Sequence, residues 1–382
     1  MGLEELREQI DAVDKRLVQD IKERMQVSAA IGEYKREHGI PVMDSKRERE
    51  VLHKIVELAN DPMLSSYYRV LYSLLFELSR SYQNKLIGEN DEAFKEIQEA
   101  IDTTPKMFPK YAKVACQGVE GAYSMIACEK LFTSPDIMYL GNFEGVFSAV
   151  ENGLCDYGIL PIENSTAGSV RKVYDLMLSH NFHIVRGTRI KINHCLVAKQ
   201  GTELKDIREV YSHEQALNQC SAFLKELGSN VKITEVENTA VAAEMVAKSG
   251  RDDVAAICSY RCAELYGLKT VKANIQDNGN NHTRFICISK KPEIYPGANK
   301  TSIMMVLSHR PGALYKMLAR FYALDINVVK LESRPIPDRD FEFMFYFDIE
   351  TSVYSEEFVQ LIRELSDGTE EFHYLGSYSE VM

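Results

Sequence analysis

Arg24 and Lys35 stand eleven residues apart in a stretch whose apolar residues recur with a helical period. At roughly 100° and 1.5 Å per residue, eleven steps return a side chain to nearly the same face, about 16 Å along the axis. Two long cationic side chains leaning together over that distance frame a gap for a small dianion. Further polar residues sit at helical spacing. Asp44 and Glu48 are i,i+4 with Arg47 in the same turn, and Ser79 and Gln83 are also i,i+4. Cations, carboxylates and neutral donors without a Cys, His or Ser triad suit binding and charge stabilisation rather than covalent catalysis. For the charges taken alone, a solvated helix face is the other reading.

The element that positions the first two is read from Leu3, Leu6, Ile10, Val13, Leu17, Ile21, Met25 and Ile31. This stripe predicts one helix to about His38, stopped by Gly39 and Pro41, and long enough to need a partner along its length. A second helix is expected from Asp44 to Ala59, where Asn60-Asp61-Pro62 breaks it. A third runs from Ser65 or Ser66 to Lys85 and ends at Gly88. A charged amphipathic stretch, Asp91 to Ile101, leads into Thr103-Thr104-Pro105 and Pro109, which read as a linker.

The chain has 382 residues, a hydrophobic fraction of 45%, a charged fraction of 26% and a net charge of -11. Such a composition is globular, and the length suggests two or three domains. No apolar run reaches membrane-spanning length and no signal-peptide pattern opens the sequence, so a cytoplasmic protein is expected. No basic stripe offers itself to nucleic acid. The eight cysteines form no C-x-x-C pair and the nine histidines no ligand spacing, which predicts reduced, buried thiols and no metal.

From Lys113 short β-rich runs alternate with helical ones. Strands are expected at Lys113–Gln117, Ile137–Leu140, Tyr157–Pro161, Ile184–Ala198, Glu209–Ser212, Val231–Val236, Val254–Cys258 and Thr283–Ser289. The alternation predicts a mostly parallel α/β arrangement in two lobes with a cleft at the strand ends. Polar turns fall at those ends: Gly118 to Ser124, Glu163-Asn164-Ser165-Thr166, Ser212-His213 with Gln215, Asn238-Thr239 and Asn281 to Phe285. Helix caps explain each as readily as a ligand does. The N-x-[ST] matches at Asn164, Asn281 and Asn299 are read as turn chemistry, not glycosylation. After Pro292 to Gly297, the order strand, helix, strand, strand, helix, strand from Ser302 to Tyr378 is the ferredoxin-like split βαβ.

Residues 4 to 85, with Leu6-Arg7-Glu8, Glu23-Arg24, Lys35, Pro41-Val42, Asp44, Arg47-Glu48-Arg49, Ser79 and Gln83, resemble the all-helical chorismate mutases. The resemblance implies a unimolecular rearrangement of chorismate to prephenate. It assigns Arg7 and Arg24 to the carboxylates, Lys35 and Gln83 to the ether oxygen, and Glu48 to the ring hydroxyl, with Asp44, Arg47 and Ser79 completing the pocket. Arg7 precedes Arg24 by seventeen residues, about 25 Å along the axis and about 100° off its face, too far to share one small ligand on one helix. If Arg7 acts, it acts in a partner's pocket, and the unit is a dimer.

Thr283-Arg284-Phe285, with Gly118 to Ser124, Glu163-Asn164-Ser165 and Ser212-His213, makes residues 112 to 290 similar to prephenate dehydratases. That resemblance implies two lobes like those of periplasmic binding proteins and expulsion of carbon dioxide and hydroxide to give phenylpyruvate. Thr283 is the expected hydrogen-bond donor to the leaving hydroxyl. Asn164, Ser165, Thr166, Ser212, Gln215, Thr239 and Phe285 are cleft candidates; Arg284 meets either a substrate carboxylate or a structural partner. The last segment resembles an ACT domain, which implies a phenylalanine site from Gly312-Ala313-Leu314 and Glu332-Ser333-Arg334-Pro335, with Tyr315 where an aliphatic residue is usual.

The expected architecture is a helical mutase domain over 1–88, a helical linker over 89–111, a two-lobed α/β dehydratase domain over 112–291 and a ferredoxin-like ACT domain over 300–382. The implied protein is a bifunctional enzyme of phenylalanine formation without a cofactor. It is a homodimer or larger homo-oligomer acting on chorismate and prephenate and inhibited by phenylalanine. Two other readings remain: a non-catalytic amino-acid-responsive protein, and a dehydratase preferring arogenate, whose ammonium would demand a carboxylate in the cleft.

Overall fold

The computed structural model describes residues 2–87, 92–336, 339, 342–368 and 371–382. The expected helix stop at Gly88, the start of the charged stretch at Asp91 and a strand start at Phe341 lie outside the described residues. Helices come first: α1 (Leu3–Glu37), α2 (Ser45–Ala59), α3 (Ser65–Ile87) and α4 (Glu92–Thr103). Then follow β1 (Lys113–Gln117), α5 (Tyr123–Leu131), β2 (Asp136–Leu140), α6 (Phe143–Glu151), β3 (Tyr157–Asn164), β4 (Gly168–Ser169), α7 (Arg171–Met177) and β5 (His183–Lys191). Next are β6 (Cys195–Ala198), β7 (Glu209–Ser212), α8 (Glu214–Gln219), α9 (Ser221–Glu226), β8 (Lys232–Glu235), α10 (Thr239–Lys248), β9 (Val254–Cys258), α11 (Tyr260–Leu265), β10 (Lys269–Lys272) and β11 (His282–Ser289). The chain ends with β12 (Lys300–Val306), α12 (Ala313–Ala323), β13 (Asn327–Pro335), β14 (Phe343–Glu350), α13 (Glu356–Gly368), β15 (Glu371–Tyr378) and β16 (Glu380–Val381).

Two compact units result. One joins Met1–Glu99 with Ile303–His373, the other Ala100–Ser302 with Tyr374–Met382.

In the first unit α3 packs along α1 and α2, and α12 and α13 pack against α3. Asp44 caps α2 as its type predicts, accepting from the Arg47 backbone N–H at 2.9 Å, and Asn60 ends that helix in the left-handed conformation at φ 43°. The early stripe of α1 is left uncovered by the described residues. Leu3, Leu6, Ile10, Val13 and Leu17 are 44–64% exposed, although their period is that of a buried face. The sheet order β13-β14-β12-β15 is that of the split βαβ.

The second unit holds two sheets, β16-β5-β11-β3-β1-β2 with β4 on β3, and β10-β6-β9-β7-β8. The expectation of a mostly parallel sheet needs correction, since both are mixed: β11 runs antiparallel to β3 and β5, and β6 antiparallel to β9 and β10. The cause is the chain's double passage between lobes. The expected single strand Ile184–Ala198 is in fact β5 and β6 in different sheets, so the first passage occurs at Ile192-Asn193-His194. The return follows β10, a strand the sequence pattern did not reveal. Each lobe has its own apolar core, Cys116, Ile159, Phe285 and Cys287 in one and Val197, Val254, Ala256 and Cys258 in the other.

A second correction concerns the C-terminal segment, which is not closed on itself. β16 pairs in parallel with β5, Glu380 opposite Gly187 and Val381 opposite Thr188. Gly376 makes this approach possible. Its φ is +137°, and a Cβ there would lie 2.1 Å from the Ile184 carbonyl oxygen, closer than any side chain tolerates.

Among the described residues no helix is long and apolar enough to cross a membrane. All eight cysteines are free and buried.

Candidate active sites

The helical part of the first unit encloses a cavity of about 530 Å³. Its wall contains Arg24, Lys35, Asp44, Arg47, Glu48, Ser79 and Gln83, seven of the eight residues expected there. Arg7 is not among them. Its guanidinium pairs with Glu4 at 2.7 Å and is 61% exposed, on the uncovered stretch of α1. The spacing argument that removed Arg7 from its own helix's pocket agrees with that position.

Each helix contributes a fixed donor or charge. Arg24 Nη1 donates to Ser79 Oγ at 2.5 Å and lies over the Phe76 ring, 5.7 Å from its centre. Ser79 in turn donates to the Leu75 carbonyl at 2.6 Å. Burial pulls the Arg24 guanidinium below its ordinary pKa, and Tyr72 opposes this. Lys35 Nζ donates to the Val42 carbonyl at 2.6 Å, which ties the end of α1 to the chain entering α2. Gln83 Nε2 donates to Ser28 Oγ at 2.7 Å, while its Oε1 is buried with no partner. A half-turn of that amide would let the Ser28 hydroxyl donate to Oε1 and put the NH₂ where the orphan oxygen now sits. The same rotation satisfies the orphan acceptor and supplies the donor an ether oxygen needs.

Ser28 and Arg80 also line the cavity, and neither was singled out from sequence. Ser28 follows Arg24 by one helical turn, so its spacing was a usable signal. For Arg80 the only local signal is the i,i+3 spacing to Glu77, because its other partner, Glu48, is on another helix. Its guanidinium bonds to Glu48 and Glu77 at once.

In the second unit a cleft of about 430 Å³ is lined by Thr166, Ala167, Gln276, Asp277, Asn278 and Asn281 together with His213, Glu214, Gln215, Asn218 and Gln219. Thr283 is not in that lining, and neither is Asn164, which bonds to three residues that are. Its Nδ2 donates to Asn281 Oδ1 at 2.8 Å and to Thr283 Oγ1 at 2.9 Å, and its Oδ1 accepts from the backbone N–H groups of Thr166 and Ala167 at 3.0 and 2.8 Å. The Thr283 hydroxyl therefore has its acceptor capacity engaged and its proton available for donation. Ser165, also outside the lining, has its Oγ donating to the Asn280 carbonyl at 3.1 Å and accepting from the His282 N–H at 2.9 Å. Asn281, only 1% exposed, belongs to one of the polar turns read from sequence but was not singled out as a site residue.

Other candidates are not brought to the cleft. Ser212 is fully buried and donates to the Ile257 carbonyl at 2.7 Å, and Phe285 belongs to the lobe core. Thr239 opens α10 behind its cap Asn238. For Arg284 the structural partner prevails: its guanidinium meets the Glu380 carboxylate and donates to Tyr378 Oη at 2.8 Å. Strand alternation is the reason, because Arg284 points to the face opposite Thr283. Burial raises the Glu380 carboxyl, but Arg284, Lys300 and Arg189 outweigh it and hold the pKa below the ordinary range.

A helical cavity of converging cations in one unit and a cleft lined by amide, hydroxyl and carboxylate side chains in the other are the two candidate sites of an enzyme. The comparisons identify the family. The chorismate mutase type II family matches residues 6–84 and the prephenate dehydratase family residues 114–293. A bifunctional chorismate mutase/prephenate dehydratase of Enterobacter agglomerans is 32% identical over 98% of this chain and 95% of its own. The chloroplastic arogenate dehydratase/prephenate dehydratase 2 of Arabidopsis thaliana is 41% identical over 70% of this chain and 72% of its own. Among solved structures, a prephenate dehydratase from Arthrobacter aurescens in complex with L-Phe is similar, with TM-score 0.65 and 26% identity over 70% of this chain and 90% of that one. The chain belongs to the bifunctional chorismate mutase/prephenate dehydratases, and is an enzyme of phenylalanine formation with an isomerase and a lyase activity.

Proposed function

We propose the following division of labour. In the helical cavity Arg24 and the partner subunit's counterpart of Arg7 hold the two carboxylates of chorismate in a folded conformer. Lys35 and the Gln83 amide meet the charge that grows on the ether oxygen as the C–O bond breaks, and Glu48 accepts from the ring hydroxyl. Such groups accelerate the reaction because they bind the charge of the transition state better than that of the ground state. The observation that carries this reading is the convergence of seven expected residues from three helices on one cavity. The uncovered stripe of α1 supports a homodimer, since a second copy laid antiparallel would cover it and bring Arg7 to the facing cavity.

In the cleft, Thr283 donates to the departing hydroxide while Asn164 holds its oxygen, and carbon dioxide leaves as the ring becomes aromatic. Thr166 and Gln215 contact the substrate.

The segment 300–382 acts as an ACT-type sensor of phenylalanine. Gly312, Ala313 and Leu314 open α12, and Glu332 to Pro335 end β13, the outer strand of its sheet, where a second copy has room to pair. A cytoplasmic location fits the free cysteines.

The test supplies chorismate to the purified chain and follows chorismate, prephenate and phenylpyruvate with and without phenylalanine. Both conversions are expected, both slowed by phenylalanine. Turnover in neither step overturns the reading.

Glu214 supports a second reading for the cleft. Its carboxylate lines the wall beside Gln215 and suits an ammonium, so arogenate is accepted as well as prephenate. Comparing kcat/KM for the two substrates decides this, and no turnover of arogenate removes it.

A further inference from the structure

Beside the mutase cavity four charged side chains form a continuous chain from α2 to α12. Glu48 bonds to Arg80, and Arg80 to Glu77. The other oxygen of Glu77 accepts from Arg320 Nε at 3.2 Å and Nη2 at 2.9 Å. Glu77 is 6% exposed, Arg80 12% and Arg320 15%, so these bonds are shielded from water and salt. Burial raises the Glu77 carboxyl, yet Arg80 and Arg320 outweigh it and leave its pKa below the ordinary range. For Arg80 burial lowers the value, and Glu77 and Glu48 together raise it. Each inner member is thus held by two partners of opposite sign.

We propose that Arg80 and Glu77 are positioning residues for the Glu48 carboxylate, and that Arg320 on α12 adjusts the chorismate site through them. This deepens the reading above and rests on Glu48 meeting the substrate hydroxyl. The physical link is competition for charge. Arg80 shares its guanidinium between two carboxylates, and Glu77 shares its carboxylate between two guanidinium groups. If Arg320 withdraws, the buried charge of Glu77 falls on Arg80 and draws it from Glu48. The Glu48 carboxylate then loses the bond that fixes its rotamer. If Glu77 is lost, Arg80 is held by Glu48 alone and rests on it more heavily, in competition with the substrate. Lys316 Nζ, 3.8 Å from Glu77, offers only a weaker replacement for Arg320. Because Arg320 is two turns along the helix that Gly312 caps, a shift of α12 reaches Glu48 through three side chains.

A hydroxyl contact binds ground and transition states alike, so the effect falls on KM more than on kcat. The test measures chorismate kinetics for Glu77→Gln, Arg320→Gln, Arg320→Lys and the Glu77→Gln/Arg320→Gln double variant, with prephenate turnover by the same samples as the internal control. Glu77→Gln and Arg320→Gln are expected to raise KM for chorismate about 2- to 30-fold, with kcat within about twofold and prephenate turnover unchanged. Arg320→Lys restores most of the affinity, and Arg320→Gln adds nothing in the Glu77→Gln background. An unchanged KM in Arg320→Gln overturns the proposal, as do effects that multiply in the double variant. Equal losses of both activities, which report unfolding, overturn it as well. No chorismate turnover by the unaltered chain removes the site assignment itself, a separate failure.

Discussion

Replacing Gly32 with alanine places a methyl carbon 3.0 Å from Cγ of Gln83 and 3.2 Å from its Cβ. Carbon atoms in ordinary contact stand about 3.5–4.0 Å apart, so α1 and α3 must separate, or the Gln83 side chain must move, by about 0.5–1 Å. Two stability effects oppose each other. Alanine in a helix interior is better than glycine by about 1 kcal/mol, while overpacking costs about 1–3 kcal/mol. The net loss should be at most about 2 kcal/mol. The rate has no such compensation. Gln83 is the amide we propose for the ether oxygen, and a misplacement near 1 Å in an active site costs up to about 100-fold. The expected result is a fall of about 10- to 100-fold in chorismate turnover, with prephenate turnover unchanged. Loss of chorismate absorbance, phenylpyruvate formation from added prephenate and a urea melt measure the three quantities. Full mutase activity at unchanged stability would refute the reasoning, because it would show that the close approach at Gly32 does not set the amide.

Thr283→Val keeps the shape of the side chain and removes its hydroxyl; prephenate dehydration should fall about 10²- to 10⁴-fold while chorismate turnover stays intact, and equal losses of both would refute the assignment. His194, only 3% exposed, has its pKa lowered by burial against the opposing hydrogen bond between its Nε2 and the accepting Gln219 Oε1. The unfolded chain therefore takes up this proton first, so the neutral ring contributes stability that is full above its unfolded value of 6.5 and is lost as pH falls towards the folded one. Urea melts across about pH 5 to 7 should show a shallower pH dependence for His194→Asn, and parallel curves would contradict the sign. Glu380→Gln leaves Arg284 and Lys300 around a neutral amide and should destabilise the chain by about 3–5 kcal/mol, read by the same melts. KM for prephenate should hardly change, and a large rise would return Arg284 to substrate binding.

Much of the mutase site was legible because a helix converts spacing into position. Arg24, Lys35, Ser79 and Gln83 share faces by arithmetic, and Asp44 announces the start of α2 by its type. Arg80 was legible only as the i,i+3 neighbour of Glu77 on its own helix, since its other partner, Glu48, lies on α2 and no local period connects the two. In the dehydratase region the strand positions could be read, but direction and sheet membership could not. A run such as Ile184–Ala198 looks continuous in hydropathy even though Ile192-Asn193-His194 carries it from one lobe to the other. Alternation did place Arg284 opposite Thr283, yet which face met the cleft depended on where the sheet packed.

The sequence by itself determined the order of the segments and which charged and polar residues share a helix face, because those follow from residue type and short-range period, and its family resemblance implied the two chemistries. Tertiary structure alone decided that Arg284 is held by Glu380, that β16 adds an edge strand beside β5, and that Glu48 is tied through Arg80 and Glu77 to α12. Those outcomes depend on contacts between residues far apart in the chain, where burial makes each charge seek whichever opposite charge the packing brings within reach.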